Sequence, residues 1–261
     1  MDIKESKIYQ VSSYKERHPW EIARLSVINL LFKKIIKEIP AGNPTVLDFG
    51  CGDAFILQNL SKTWPDLNFL GVDSAYTLEQ IQLIYNQSSL QKCCLFQNLN
   101  SISPGRAEIV LLLDVLEHAD NDIDILSSVV SRLKPNGYAL ITVPAFQVLF
   151  CSHDRWLGHH RRYTKNHLCE ISTKSGLQVR QSGYFFSGLV LPRLCHKLFE
   201  SLKIVGAQKC VGIGEWSRGA FLGNFIKTLL VINAKADIGL AKHHLSLLGL
   251  SVFAICKKSL L

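Results

Sequence analysis

Between residues 45 and 144 the chain alternates between two hydrophobic rhythms. Short unbroken apolar runs, such as Ile109-Val110-Leu111-Leu112-Leu113, suit strands buried on both faces of a parallel sheet. Between them the apolar residues recur at three and four, the period of a helix. The pattern predicts strands at 46–49, 68–73, 93–96, 108–113 and 138–144, with a helix opening at Phe55, a weak one over 80–90 and one over 120–133. Leu133-Lys134-Pro135-Asn136-Gly137 is expected to end that last helix and turn the chain. Ahead of the alternation, Ile22, Leu25, Ile28, Leu31, Phe32, Ile35 and Ile36 mark an amphipathic helix over 21–39, stopped by Pro40-Ala41-Gly42-Asn43-Pro44. Behind it come a helix capped by Thr164, a strand over 176–184, apolar helical stretches at 185–202 and 220–233, and a final strand from Gly249. Alternating strands and helices imply a parallel sheet with helices on both faces and a ligand at the carboxyl ends of the strands.

The first strand runs into Asp48-Phe49-Gly50-Cys51-Gly52 and then into a helix. Glycines at such a turn let backbone approach a ligand closely, because no Cβ intervenes. A dinucleotide fingerprint would place a third glycine where Phe55 stands, and no Gly-Lys-Ser/Thr follows. Asp48 would repel a pyrophosphate but suits a ligand carrying an ammonium group. Asp73 closes the second strand 21 residues after Gly52, where an acid in a βαβ unit bonds ribose hydroxyls; its other reading is a helix cap.

Asp-Phe-Gly-Cys-Gly resembles the first motif of class I S-adenosylmethionine-dependent methyltransferases. Three further matches arrive in order: Asp73 after the second strand, Asp114-Val115-Leu116-Glu117-His118 after the fourth, and the Leu-Lys-Pro-x-Gly turn at 133–137. The resemblance implies a Rossmann-like, seven-stranded, mostly parallel sheet whose last strand is antiparallel. It divides the chain into an N-terminal segment and lid helix (1–44) and a methyltransferase domain (45–261) with a helical insertion at about 185–245. It implies S-adenosyl-L-methionine as cofactor, lying across Gly50, Cys51 and Gly52. The ammonium would face Asp48, the ribose Asp73, and the adenine would lie between Ser74 and Asn98-Leu99. The family usually has Asp near Asn98; an Asn carbonyl can still accept that hydrogen bond. Asp114 and Val115 would complete the cofactor contacts. His18-Pro19-Trp20-x-x-x-Arg24 is similar to a motif of bacterial members that puts Trp20 and Arg24 near the methionine end, the other reading being a capping aromatic and a surface arginine.

The segment from Ala145 to Thr164 concentrates three His, three Arg and aromatics after a strand's carboxyl end, in what reads as a loop. Its His-Asp…Gly-His-x-Arg-Arg-Tyr pattern is similar to bacterial and polyprenyl-related methyltransferases. A hydroxyl acceptor needs a base, and an unperturbed imidazole, with a pKa of ~6.5, suits proton removal near neutrality. His118, His153 and His159 are the candidates. His153 is favoured, with Asp154 as its orienting partner, and Arg161 and Arg162 are expected to fork onto a carboxylate or phosphate of the acceptor.

Charge divides the chain. Residues 1–144 hold 13 Lys/Arg and 16 Asp/Glu, and residues 145–261 hold 16 and 5. The basic half is a solvated surface or marks an anionic substrate, an acidic partner or a membrane face. The stripe Leu191, Leu194, Cys195, Leu198, Phe199, Leu202 within it reads as core or lid packing, or as a hydrophobic tunnel or membrane-facing patch rimmed by Lys and Arg. The eight Cys lack metal-ligand spacing, so no metal site is expected, and with no leader or membrane-spanning stretch a reduced, cytoplasmic protein is. The leading expectation is methylation, O-directed, of a small anionic or hydrophobic acceptor. The alternatives are a binding module of the same fold and an RNA or protein methyltransferase. Nucleic acid is disfavoured, because the Asn/Asp-Pro-Pro-Tyr/Phe signature of amino-directed enzymes is absent.

Overall fold

A computed structural model of the chain describes residues 17–87, 92–202, 219–243 and 245–259. The polar stretch 1–13 and the end of the helix expected over 80–90 lie outside the described residues. The strands are β1 (Thr45–Phe49), β2 (Asn68–Val72), β3 (Cys93–Phe96), β4 (Ala107–Leu113), β5 (Leu133–Pro144), β6 (Leu177–Phe185) and β7 (Ser251–Lys258). They form one sheet in the order β3-β2-β1-β4-β5-β7-β6. The pairs from β3 through β5 are parallel, and β7 runs antiparallel between β5 and β6, as expected.

Eight α-helices lie among the described residues: α1 (Pro19–Ile36), α2 (Phe55–Thr63), α3 (Leu78–Gln87), α4 (Asp122–Val130), α5 (Ser152–Leu157), α6 (Lys165–Lys174), α7 (Val190–Ser201) and α8 (Ala220–Lys242). The apolar runs are continuous because successive strand residues feed opposite layers. Ile109, Leu111 and Leu140 join the core built with α1, α2 and α8. Val110, Leu112, Ala139 and Ile141 join the one built with α4 and α6. The expected lid helix α1 is itself core along its length, with Ile28, Leu31 and Phe32 fully buried.

Four expectations are corrected. The helix over 120–133 starts at Asp122, where Asn121 caps it, and ends at Val130. Leu133–Gly137 belongs to β5, where the pairing with β4 shifts register and Asn136 takes a left-handed φ of 62°. The segment 145–164 is not a loop throughout. It carries a single 3-10 turn (Gln147–Leu149) and α5, which a left-handed Gly158 (φ 83°) terminates. α8 runs nine residues past the expected Asn233 because Ala234, Asp237, Ile238 and Ala241 keep one face buried.

α8 sits against β6 at a glycine. A Cβ on Gly183 would lie 2.6 Å from the Ala241 Cβ and 3.0 Å from the Phe253 ring. Gly183→Ala is therefore expected to push α8 outward and to cost about 1–3 kcal/mol in urea denaturation. An unchanged midpoint would show that the helix yields freely.

Candidate functional site

Four non-glycine residues with positive φ follow the carboxyl ends of parallel strands: Ala54 after β1, Asp114 after β4, Phe146 after β5 and Phe186 after β6. Backbone strain of this kind persists only where surrounding structure holds it, and it collects at ligand sites. At the first turn Gly50 (φ 76°) and Gly52 (φ 56°) are also left-handed. A Cβ on Gly50 would lie 2.5 Å from Val115 Cγ2, so the loops after β1 and β4 touch here. Gly50 and Cys51 donate to Val72 O, and Gly52 donates to Asp73 Oδ2 at 2.9 Å. Tyr76 donates to Gly52 O at 2.5 Å and bonds the Cys51 thiol, whose burial pushes its pKa well up. The turn is a pre-set backbone cradle.

Asp48 is buried beneath it, and its Oδ1 has no hydrogen-bond partner. Burial pushes its pKa up to about 7, against the pull of Arg24. Arg24 Nη2 pairs with Asp114 Oδ2 at 3.0 Å, and Arg24 Nε, also buried, has no partner. Thr142 holds the other Asp114 oxygen at 3.0 Å. Trp20 lies beside Arg24 and 6.4 Å from the Phe186 ring. An unpaired buried carboxyl next to an unpaired guanidinium nitrogen fits a ligand that carries an ammonium and a carboxylate. Asp73 is half-buried and Ser74 exposed; Asp73 Oδ1 also accepts from Ala75 N within a turn, whereas α3 starts only at Leu78 and takes its cap from Thr77, so the helix-cap reading of Asp73 is corrected. Asn98 is exposed and its carbonyl accepts from Asn100 N, while Leu99 is buried.

The second half of the site is gathered by Asp154, which has no exposed surface. The expected pairing with His153 is corrected. Asp154 Oδ1 bonds His159 Nδ1 at 3.1 Å and Arg162 at 2.7 and 2.9 Å, while Oδ2 bonds Arg193 at 3.0 Å and Cys151 N at 2.9 Å. Burial alone would raise this carboxyl, but the His159 hydrogen bond and the Arg162 guanidinium outweigh it and hold it below the usual range. His153, one residue earlier on α5, projects elsewhere and stacks on Trp156 at 6.0 Å. Burial and then Arg193 lower its pKa to about 4, so it is neutral at physiological pH.

Arg161 and Arg162 are likewise corrected as forks for an acceptor. Arg161 is tied to Asp122 Oδ2, Ala119 O and Asp120 O, and Arg162 to Asp154 and Ala145 O. His159 stands edge-on to His118, with ring centroids 4.7 Å apart. Glu117, adjoining His118 in sequence, was missed by sequence reasoning as a separate group. It is fully buried, neither carboxyl oxygen has a partner, and burial holds its pKa well above normal. A second acid beside His118, in a motif that already carries Asp114, was the available signal. Glu117, His118 and His159 bring donor atoms within 4.8 Å of one another. Arg17 was also missed; it bonds Asp53 at 2.5 Å and Glu21 at 3.3 Å beside the glycine turn.

A cradle for a small zwitterionic ligand at the carboxyl edge of this sheet is the arrangement of a cofactor-dependent transferase. A family model described as a methyltransferase domain matches residues 21–182. The chain belongs to that family and is a class I S-adenosyl-L-methionine-dependent methyltransferase. A ubiquinone biosynthesis O-methyltransferase of Rickettsia bellii is 27% identical over 99 residues, 37% of this chain and 40% of that protein. The same-named protein of Aeromonas salmonicida is 24% identical over 166 residues, covering 55% of this chain and 67% of the relative. Among solved structures, a putative sarcosine dimethylglycine methyltransferase from Galdieria sulphuraria superposes with a TM-score of 0.56 at 12% identity, over 92% of this chain and 86% of the other.

Asp48 yields a prediction of its own. Its folded pKa is raised from 3.8, so the stability it contributes is present at low pH and is lost as pH rises through about 7. Asp48→Asn removes the ionisation. The variant is expected to melt several degrees higher than the parent at pH 8, with the gap closing toward pH 5. A variant equally or less stable at pH 8 would show that the carboxylate is already paired.

Proposed function

We propose that the protein O-methylates a small, lipophilic acceptor, with His159 as the base and Asp154 as its orienting partner. The observation that carries this is the 3.1 Å contact between His159 Nδ1 and a carboxylate held ionised. An ionised carboxylate only accepts, so Nδ1 carries the hydrogen and Nε2 is left to take a proton. The distant relatives, named ubiquinone biosynthesis O-methyltransferases, support both the choice of atom and a lipophilic acceptor.

S-adenosyl-L-methionine supplies a methyl group on a sulfonium sulfur that departs as a neutral thioether. Asp48 would hold the cofactor's ammonium, and Arg24, aided by Trp20, its carboxylate. Asp73 would hold the ribose; Ser74, Asn98 and Leu99 would border the adenine. Gly50, Cys51 and Gly52 supply backbone, and Asp114 and Val115 close the turn from the β4 side. His159 would accept the acceptor's hydroxyl proton at Nε2, leaving an oxygen able to take a methyl group. His118, edge-on to His159, shapes where that oxygen sits. The rest of the rate comes from alignment and exclusion of water.

The test is turnover of a panel of phenols and catechols, with the methyl ether identified by mass. His159→Ala is expected to lower kcat by about 10²–10⁴-fold with cofactor affinity unchanged. His153→Ala is expected to stay within a fewfold of the parent. Equal losses in both variants would remove His159 from the role. Methylation on nitrogen or carbon would overturn O-transfer, and cofactor binding without product from any acceptor would favour a binding module.

A further inference from the structure

α7 is mounted inside out. Its polar side faces the protein: Arg193 bonds Asp154, Lys197 donates to Val148 O, and Glu200 accepts from Ser152 N at 3.1 Å and pairs with Arg155. Its apolar side faces away. Leu191, Leu198 and Leu202 are 67%, 53% and 65% exposed, and no residue of the helix is buried. The apolar stripe is thus neither core nor tunnel lining. α8 is two-faced. Leu230, Ala234, Ile238 and Ala241 bury one side, while Phe221, Phe225, Leu229 and Ile232, spaced by four, four and three, form a second stripe on the other. Phe221 is 88% exposed. Leu245, Leu247 and Leu248 add exposed side chains just beyond α8. Single exposed leucines are ordinary; helical stripes of Leu and Phe facing water mark a surface that is covered in use.

Charge identifies the cover. From Val190 to the end of α8 the acids among the described residues are Glu200 and Asp237. Glu200 is bound as above, and Asp237 is buried and accepts from Ser187. No acid on these helices faces outward, whereas Lys235 and Lys242 are exposed. We propose that the apolar faces of α7 and α8, with the leucines after α8, dock this protein on an anionic phospholipid bilayer. Apolar side chains enter the interface and the lysines meet the headgroups. No described helix is long and apolar enough to cross a membrane, so the docking is peripheral. The surface stands independently of the acceptor. Its link to chemistry is Arg193, through which α7 holds the carboxylate that holds His159.

The test is co-sedimentation of the full chain with vesicles of phosphatidylcholine alone and of phosphatidylcholine with phosphatidylglycerol, at low and high salt. The parent is expected to bind the anionic vesicles about tenfold more tightly, with the difference shrinking at high salt. Leu198→Asp with Phe199→Asp, and Phe221→Asp with Phe225→Asp, are each expected to weaken binding by about tenfold or more. Because these side chains are exposed, melting temperature and S-adenosyl-L-methionine binding should stay unchanged, which separates lost docking from lost folding or lost enzyme. Absence of parent binding to either vesicle, or full binding by both double variants, would overturn the proposal. So would light scattering that shows a dimer in the parent and a monomer in the variants, which would assign the faces to a second copy of the chain.

Discussion

The buried charge of Asp154 is the interaction on which the candidate acceptor side depends. A carboxylate with no exposed surface is tolerated because two arginines, a histidine and a backbone N–H all point at it. Those partners come from the residue that precedes α5, from the chain after it and from α7. The Arg162 that neutralises it also donates to Ala145 O at the end of β5. Tyr163, next along, bridges to Ala145 in parallel register and donates to Leu116 O. A continuous run of polar contacts therefore leads from α7 to the loop after β4. His159 is set against His118 by this run, because each loop is fixed to the other and not merely near it.

The cofactor side is built on the opposite principle. Asp48 Oδ1 and Arg24 Nε are buried without partners, a cost of about 1–3 kcal/mol for each unsatisfied group. Strained backbone at Ala54, Asp114, Phe146 and Phe186 lies along the same edge of the sheet. The layers beneath are apolar and locally consistent. Positive φ and unpaired buried groups also occur elsewhere, as at Lys92, Asn136 and Trp64 Nε1, but they gather at this edge, which is how a functional site differs from a core. Groups left wanting a partner in the folded chain are groups that a ligand can satisfy.

The same contrast explains what was legible in the amino-acid order. Strands buried on both faces are continuous apolar runs, so Ile109–Leu113 and Ala139–Val143 could be read directly. The glycine turn and Asp73 could be read because their spacing follows from a βαβ unit. Contacts made by reversal of the chain could not. His153 adjoins Asp154 in sequence, but on a helix neighbouring residues point about 100° apart. His159 reaches the carboxylate because Gly158 turns the chain back in a left-handed conformation. Arg161 and Arg162 looked like free forks because their partners, Asp122, Ala119 O, Asp154 and Ala145 O, arrive from other elements. The end of α4 was misplaced because Leu133 fits a helix stripe and a strand equally well.

The basic half of the chain also changes meaning once it is folded. Sixteen Lys/Arg against five Asp/Glu suggests an extended positive field. Several of those cations instead serve inside. Arg162 and Arg193 neutralise Asp154, Arg161 clamps the stretch from Ala119 to Asp122, and Lys258 caps carbonyls of Val130 and Leu133. The charge excess is therefore in part internal wiring, and the field outside is weaker than the count implies. What does face outward on α8, Lys235 and Lys242, shares its helix with a Phe/Leu stripe. Sparse cations beside ordered apolar side chains favour a bilayer interface over a polyanion groove, because a nucleic acid rewards dense phosphate contacts while an interface rewards buried apolar area first.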